Sequence, residues 1–290
     1  MYIIRRFTVA AGILCAAALA AAGQDKSRDL YYIVNYTIIH CNAEVDLNGV
    51  PLTQTRRETA YSVTGADDIG RWLMPGVNVI TVTLRPPEGN TGPDDRQLIE
   101  ISVSTAARGQ MSDEGTKIAF LRIPEKEGAP LPASIKQATK KELRFTPASL
   151  PPCELWEKAR PGKPDDAARA EILALVREYH AAYVIKDRAK LNDMLMFATL
   201  EAARSRHVPA EQAREMLKSG LTEMLSEKSF AMEPLRTDRL VLRPIAGGRV
   251  MWVTNAGGEA PVRTRQMKDG GYVEFPVYVA RIDGKWMIVR

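Results

Sequence analysis

Apolar and polar positions along the chain follow two periods, first that of strands and then that of helices. Tyr32, Val34, Tyr36 and Ile38 alternate with Ile33, Asn35, Thr37 and Ile39. Both faces of that segment are largely apolar, and its β-branched and aromatic residues suit a pleated surface. Residues 45–52 continue the pattern through a turn at Asn48-Gly49, where glycine takes positive φ at little cost. Residues 60–63, 77–84, 98–104 and 118–123 complete about six strands, separated in places by loops rich in Pro, Gly and Asp such as 86–95. Residues 143–146 can add a last strand. Short strands with regular turn signals predict an all-β antiparallel sandwich over residues 24–150.

Residues 151–164 read as a Pro-rich linker, punctuated by Pro151, Pro152, Pro161 and Pro164. Leu155 and Trp156 predict that it is stiff and partly docked, because exposed they would leave apolar area in water. From residue 165 the period becomes helical. Asp165 or Asp166 can cap a helix whose apolar stripe is Ile172, Val176, Tyr179 and Tyr183. Leu191, Leu195 and Leu200 mark a second, shorter helix. Pro209 and Glu211 open a third, with Ala213, Met216, Leu217, Leu221, Met224 and Leu225 on its face.

Strands are then expected at 240–244, 250–254, 262–267, 272–281 and 285–290, joined by glycine turns into an antiparallel meander. Asp283-Gly284 suits a two-residue type I′ hairpin. The expected fold class is therefore two domains, a sandwich followed by an α+β domain over residues 165–290, with helices packed on a curved antiparallel sheet.

The N-terminus changes the picture of where the chain works. Arg5 and Arg6 precede an apolar run over residues 7–22, and Ala20-Ala21-Ala22-Gly23 offers small residues for cleavage. Residues 1–23 are expected to be a cleaved signal peptide, and the protein periplasmic or secreted. Cys15 follows Leu14, where lipidation needs a small residue, so a lipoprotein is not expected. The formal charge of +5 falls to +3 once Arg5 and Arg6 are removed, which gives no argument for nucleic acid. Cys41 and Cys153 remain after cleavage and are a candidate disulfide in an oxidising compartment. Two separate reduced cysteines are the alternative.

Two patches resemble known families. Asp68-Ile69-Gly70-Arg71-Trp72-Leu73-Met74-Pro75-Gly76-Val77-Asn78-Val79-Ile80-Thr81-Val82 resembles a stretch of jelly-roll sandwiches, including accessory carbohydrate-binding domains. The resemblance implies that Leu73 plugs the sandwich end, that Pro75-Gly76 turns, and that Ile80 and Val82 enter the core. It also raises a glycan-binding role, for which exposed Trp72 or Tyr61 would be needed. In the second half, the Tyr179, Tyr183, Asp187, Leu191 spacing and the stretch Arg281-Ile282-Asp283-Gly284-Lys285-Trp286-Met287-Ile288-Val289 resemble the nuclear transport factor 2-like superfamily. That resemblance implies a helix-lined cone of curved sheet, covering residues 165–290. It also implies a possible homodimer through the open C-terminal sheet.

Candidate chemistry is sparse. The three histidines, His40, His180 and His207, show no His-x3-His spacing, and no Cys-x2-Cys occurs, so no metal site is expected. No nucleophile elbow, phosphate loop or dinucleotide fingerprint is present, so no cofactor is expected. His180 neighbours Tyr183 and Asp187 on the first long helix. One reading makes His180 or Asp187 a base, with a Tyr donating to an oxyanion. The other makes the tyrosines core, Asp187 a helix cap and His180 half exposed.

The last sheet is basic: residues 236–290 hold ten Lys/Arg against five Asp/Glu. Arg263 and Arg265 share a strand face, and Arg243, Arg249, Arg281 and Arg290 lie on neighbouring strands. Together they are candidate binding residues for an acidic partner, or else a solvated sheet face. The leading expectation is an exported non-enzymatic binding protein of the cell envelope, of inhibitor or immunity type, with an envelope or secreted protein as partner. A small-molecule or enzymatic cavity near His180 and Asp187 is the first alternative, and a glycan-binding sandwich the second.

Overall fold

The computed structural model describes residues 30–54, 62–85, 97–107, 110, 114–126, 138–150, 152–266 and 271–290. The expected signal peptide, the loop 86–95 and Tyr61 lie outside these. The chain divides into two compact units, residues 20–151 and residues 152–290. No helix among the described residues is long and apolar enough to cross a membrane.

The first unit holds two four-stranded antiparallel sheets. One contains β1 (Leu30–Ile39), β4 (Val63–Asp68), β6 (Leu98–Ala107) and β7 (Thr116–Ile123), in the order β4-β1-β6-β7. The other contains β2 (Asn42–Leu47), β3 (Val50–Gln54), β5 (Asn78–Arg85) and β8 (Thr139–Phe145), in the order β3-β2-β5-β8. Period two decides which side chains are buried. Val34 and Ile38 on β1, Ile99, Ile101 and Val103 on β6, and Val45, Leu47, Ile80 and Val82 on the second sheet are all buried.

The sequence places a strand at 60–63, whereas the structure has it at Val63–Asp68, paired with β1. The segment Val-Thr-Gly-Ala-Asp-Asp carries no strand signal of its own. Gly65 lies opposite Tyr36, and a Cβ on it would fall 2.4 Å from the tyrosine hydroxyl. The aromatic ring therefore occupies the space above the glycine, and cross-strand packing overrides local propensity.

The Asp68–Val82 stretch is a hydrogen-bonded corner. Asn48 (φ 53°) and Gly49 (φ 82°) form the β2–β3 turn. The Asn48 amide donates to the Asn78 side chain at 2.9 Å, and its oxygen accepts from Val79 N at 3.0 Å. Fully buried Asn78 in turn donates to the Met74 and Gly76 carbonyls and accepts from Met74 N. Leu73 is buried as the sequence implies. Trp72 is 2% exposed and serves the core, while Tyr61, the other aromatic named for a glycan, lies outside the described residues.

The second unit begins at Pro152, so most of the Pro-rich segment belongs to it. That segment contains a helix the sequence does not predict, α1 (Glu154–Lys158), which buries Leu155 and Trp156. Then come α2 (Asp166–Val184), α3 (Arg188–Ser205) and α4 (Ala210–Ser226). Asp165 caps α2 by accepting from Ala168 N at 2.7 Å. Helix α3 is almost as long as α2, where the leucine spacing implied a shorter one; its buried face is made largely of alanine.

The sheet that follows contains β9 (Leu240–Ile245), β10 (Val250–Asn255), β13 (Val277–Ile282) and β14 (Lys285–Ile288), ordered β14-β13-β10-β9. It is not one continuous meander. A separate two-stranded hairpin, β11 (Val262–Arg263) with β12 (Glu274–Phe275), is inserted between β10 and β13. Pro276 ends β12, since proline has no N–H to continue a ladder. The core joins the α2 stripe and Leu217, Leu221 and Leu225 of α4 to Met251, Val253, Val277, Val279 and Ile288 of the sheet.

Two predictions follow from the first unit. Asn78→Ala strands several buried backbone partners, and the unit should lose about 2–4 kcal/mol by denaturant titration. Half-buried Asp46 is pushed up from 3.8 to about 6, first by burial, against the favourable Gly49 backbone hydrogen bond and Lys140. The folded state then holds its proton more tightly than the unfolded state does. Stability from this group is full below the unfolded value and falls as pH rises from about 4 to about 6. Asp46→Asn should flatten that part of the stability profile measured by urea titration.

Candidate functional site

Of the residues proposed for a cavity near His180, the two tyrosines are core residues. Tyr179 and Tyr183 are buried, and their hydroxyls lie 3.1 Å apart. Burial pushes both hydroxyls well above the ordinary tyrosine range, so neither is an acid near neutral pH. Tyr183 stacks on Phe275 with ring centroids 4.2 Å apart, and Phe230 packs against both. His180 is half-buried and donates from Nε2 to the Glu233 carbonyl at 2.7 Å. Asp187 caps α3 by accepting from Lys190 N at 3.0 Å. Each polar group is thus committed to the fold.

The candidate arginines do not form one patch. Arg263 is held by Glu233 at 2.6 Å and Glu259 at 2.8 Å, and lies over the Tyr272 ring. Arg265 donates to the Met232 carbonyl. Both belong to the inserted hairpin region, apart from the four-stranded sheet. Arg243 lies over Trp252, Trp252 stacks on Tyr278, and Arg290 lies over Tyr278, which makes a ladder across three strands. The ring faces in that ladder are occupied by one another. Only Arg281, exposed and donating to the Gly284 carbonyl, stands at an open site.

Cys41 and Cys153 lie in different units, and each thiol has an acceptor within its own unit. Cys41 donates to the Ile39 carbonyl at 3.0 Å. Cys153 donates to Glu201 Oε2 at 3.0 Å. Glu201 is 4% exposed, accepts from the Glu154 and Leu155 amides, and pairs with Arg204. A buried carboxylate thus receives the first amides of α1, where negative charge is favoured. Arg249 serves the other end, donating to the carbonyls of Trp156 (2.9 Å) and Ala159 (3.2 Å). Glu201 is not among the sequence candidates, and Arg249 is among them only as part of the basic sheet. Glu201 leaves one trace there: it is a charged position on the buried face of α3, beside Ala198 and Ala202.

These two anchors hold the Pro-rich segment beside the sheet and open a groove. One cavity of about 800 Å³ lies among residues 157–165, the start of α2, the β9–β10 turn at Arg249, and the β13–β14 turn. A second, of about 560 Å³, continues along α2 past Ala174, Leu175 and Glu178. Glu171, Gly284 and Trp286 line both, so the two adjoin along one groove. Asp283 (φ 48°) and Gly284 (φ 83°) set the hairpin turn at its wall.

The groove charges divide by their commitments. Lys158 pairs with Glu154 and Asp283, Arg249 holds carbonyls, Asp165 caps α2 and Glu178 pairs with Lys190. Among the described residues, Arg160, Lys163, Arg281 and Lys285 enter no ion pair, and neither do the acids Glu157 and Glu171. The uncommitted rim is net basic. No three His, Cys, Asp or Glu side chains among the described residues are grouped to hold a metal.

No family model, no curated protein and no solved structure matches this chain.

Burial, and then Glu201, raise the Cys153 thiol far above the ordinary cysteine range. Native Cys153 should therefore react with iodoacetamide at pH 8 at least about tenfold slower than free glutathione, and at an ordinary rate in urea, as read by mass spectrometry. The native thiol keeps its proton where the unfolded one loses it, so this group lowers stability as pH rises above about 9.

Proposed function

We propose that the chain is an exported, non-enzymatic binding protein of the cell envelope whose second unit engages a protein partner through the groove beside α2 and the β13–β14 hairpin. The observation that carries this reading is the contrast between a filled interior and an open, net-basic channel walled by Trp286. A substrate cavity needs space and converging polar groups. Tyr179, Tyr183 and Phe275 occupy that space, and His180 and Asp187 are spent on backbone partners. A half-buried tryptophan with arginines at the margin is the composition that concentrates binding energy in protein interfaces. An inhibitor or immunity-type role fits a protein that acts by occupying a surface.

The order of three long helices and then an antiparallel sheet supports a nuclear transport factor 2-like reading of the second unit. The two four-stranded sheets of the first unit support a sandwich reading. The Ala-rich leader and the small residues before Gln24 support export.

Affinity purification from the envelope fraction of cells that produce the protein, followed by mass spectrometry, tests the reading. A stoichiometric protein should co-purify with the native chain and be lost with Arg160→Glu/Lys163→Glu. Recovery of nothing above background, or of the same protein by the charge-reversed variant, would sink it.

A further inference from the structure

We infer that the partner enters this groove as an extended, acidic polypeptide segment that pairs through its main chain with the outer edge of β14 at Trp286. The inference rests on the binding reading above and adds the partner's chemistry and mode of docking.

The four-stranded sheet has two edges, β9 and β14. Strand β9 carries Pro244 and runs into a tight 3-10 turn, both of which discourage pairing. Strand β14 has no proline and starts directly after the Asp283-Gly284 turn. Its hydrogen-bond phase follows from that turn. In a two-residue hairpin the residues flanking the turn form a hydrogen-bonded pair, and such pairs then alternate. Ile282 and Lys285 flank the turn, so Ala280 with Met287 and Tyr278 with Val289 continue the bonded series. The Val289 N–H donates to the Tyr278 carbonyl at 2.8 Å, as that phase requires.

The N–H and C=O of Trp286 consequently point away from β13, to the open side of the edge. No backbone or side-chain group among the described residues bonds them. Ile288 has the same phase but is buried, whereas Trp286 is half-buried, so of the two Trp286 is the pairing position nearer the surface. Its indole meanwhile lines both halves of the channel. One residue thus offers a main-chain donor, a main-chain acceptor and an apolar wall, the combination used in strand addition. The segment's sign follows from the rim, where the bases outside any ion pair, Arg160, Lys163, Arg249, Arg281 and Lys285, outnumber the acids outside any ion pair, Glu157, Asp165 and Glu171. Its pairing residue must supply an N–H, which excludes proline there.

Panning a random linear peptide library on the purified protein supplies the probe, a fluorescein-labelled copy of the most enriched peptide read by fluorescence polarisation. Enrichment of Asp and Glu is expected, with binding weakened about tenfold or more by Trp286→Ala and by the exposed pair Arg160→Glu/Lys163→Glu. Methylating peptide nitrogens one at a time should weaken binding about tenfold at one position and little at its neighbours. Enriched peptides without acidic bias, or binding indifferent to every N-methyl group, would overturn strand addition. A partner recovered from the envelope and lost with Arg160→Glu/Lys163→Glu, yet not displaced by the peptide, would overturn it too while leaving the binding reading in place.

Discussion

Tyr183 lies face to face with Phe275, ring centroids 4.2 Å apart, and that stack ties α2 to the hairpin inserted between β10 and β13. Tyr179 meets Tyr183 edge-on at 5.0 Å, and Phe230 closes the cluster. Aromatic side chains of this size dominate the apolar area a core removes from water, on the order of 2–3 kcal/mol each when fully buried. Their packing fills the space between α2 and the inserted hairpin. Of the polar groups beside that cluster, His180 holds a backbone carbonyl and Asp187 caps α3.

The surface that results depends on two charged residues used as anchors. Glu201 accepts from the amides at the start of α1, and Arg249 donates to the carbonyls at its end. A five-residue helix has little stability of its own, since its few hydrogen bonds do not offset the cost of nucleation. The two anchors and the burial of Leu155 and Trp156 supply what propensity does not. The prolines that follow hold the chain extended past the β9–β10 turn, where Gly162 N donates to the Gly248 carbonyl at 3.1 Å. The groove exists because that segment is held at this distance from the β13–β14 hairpin. The segment that composition marks as a linker is one wall of the candidate site.

Much of the fold was legible in the order of residues. Alternation of apolar positions predicted β1, β5, β6 and β7 to within a few residues, and the stripe Ile172, Val176, Tyr179, Tyr183 predicted the buried face of α2. Asp165 and Asp187 were legible as caps and Asn48-Gly49 and Asp283-Gly284 as turns, because those roles need only neighbours in sequence. Strand β4 was not legible: Gly65 and two aspartates form a strand only because β1 and the Tyr36 ring lie beside them. The length of α3 was obscured because its buried face is alanine, which carries weak hydrophobic contrast.

What the sequence determined by itself is local. It set the two periods, the caps, the turns and the stock of charged and aromatic residues, all governed by interactions within a few positions of the chain. Tertiary structure alone decided how those residues are spent. Arg263 and Arg265 read as a basic patch, yet Glu233 and Glu259 hold the first and a backbone carbonyl the second. Cys41 and Cys153 read as a candidate bridge, yet each thiol donates to its own acceptor. Trp286 read as part of a hairpin, and in the fold it lies on the edge strand of its sheet and shares a groove with α2 residues more than a hundred positions earlier in the chain. Burial and charge pairing are set by which distant segments meet, and composition carries no record of those meetings.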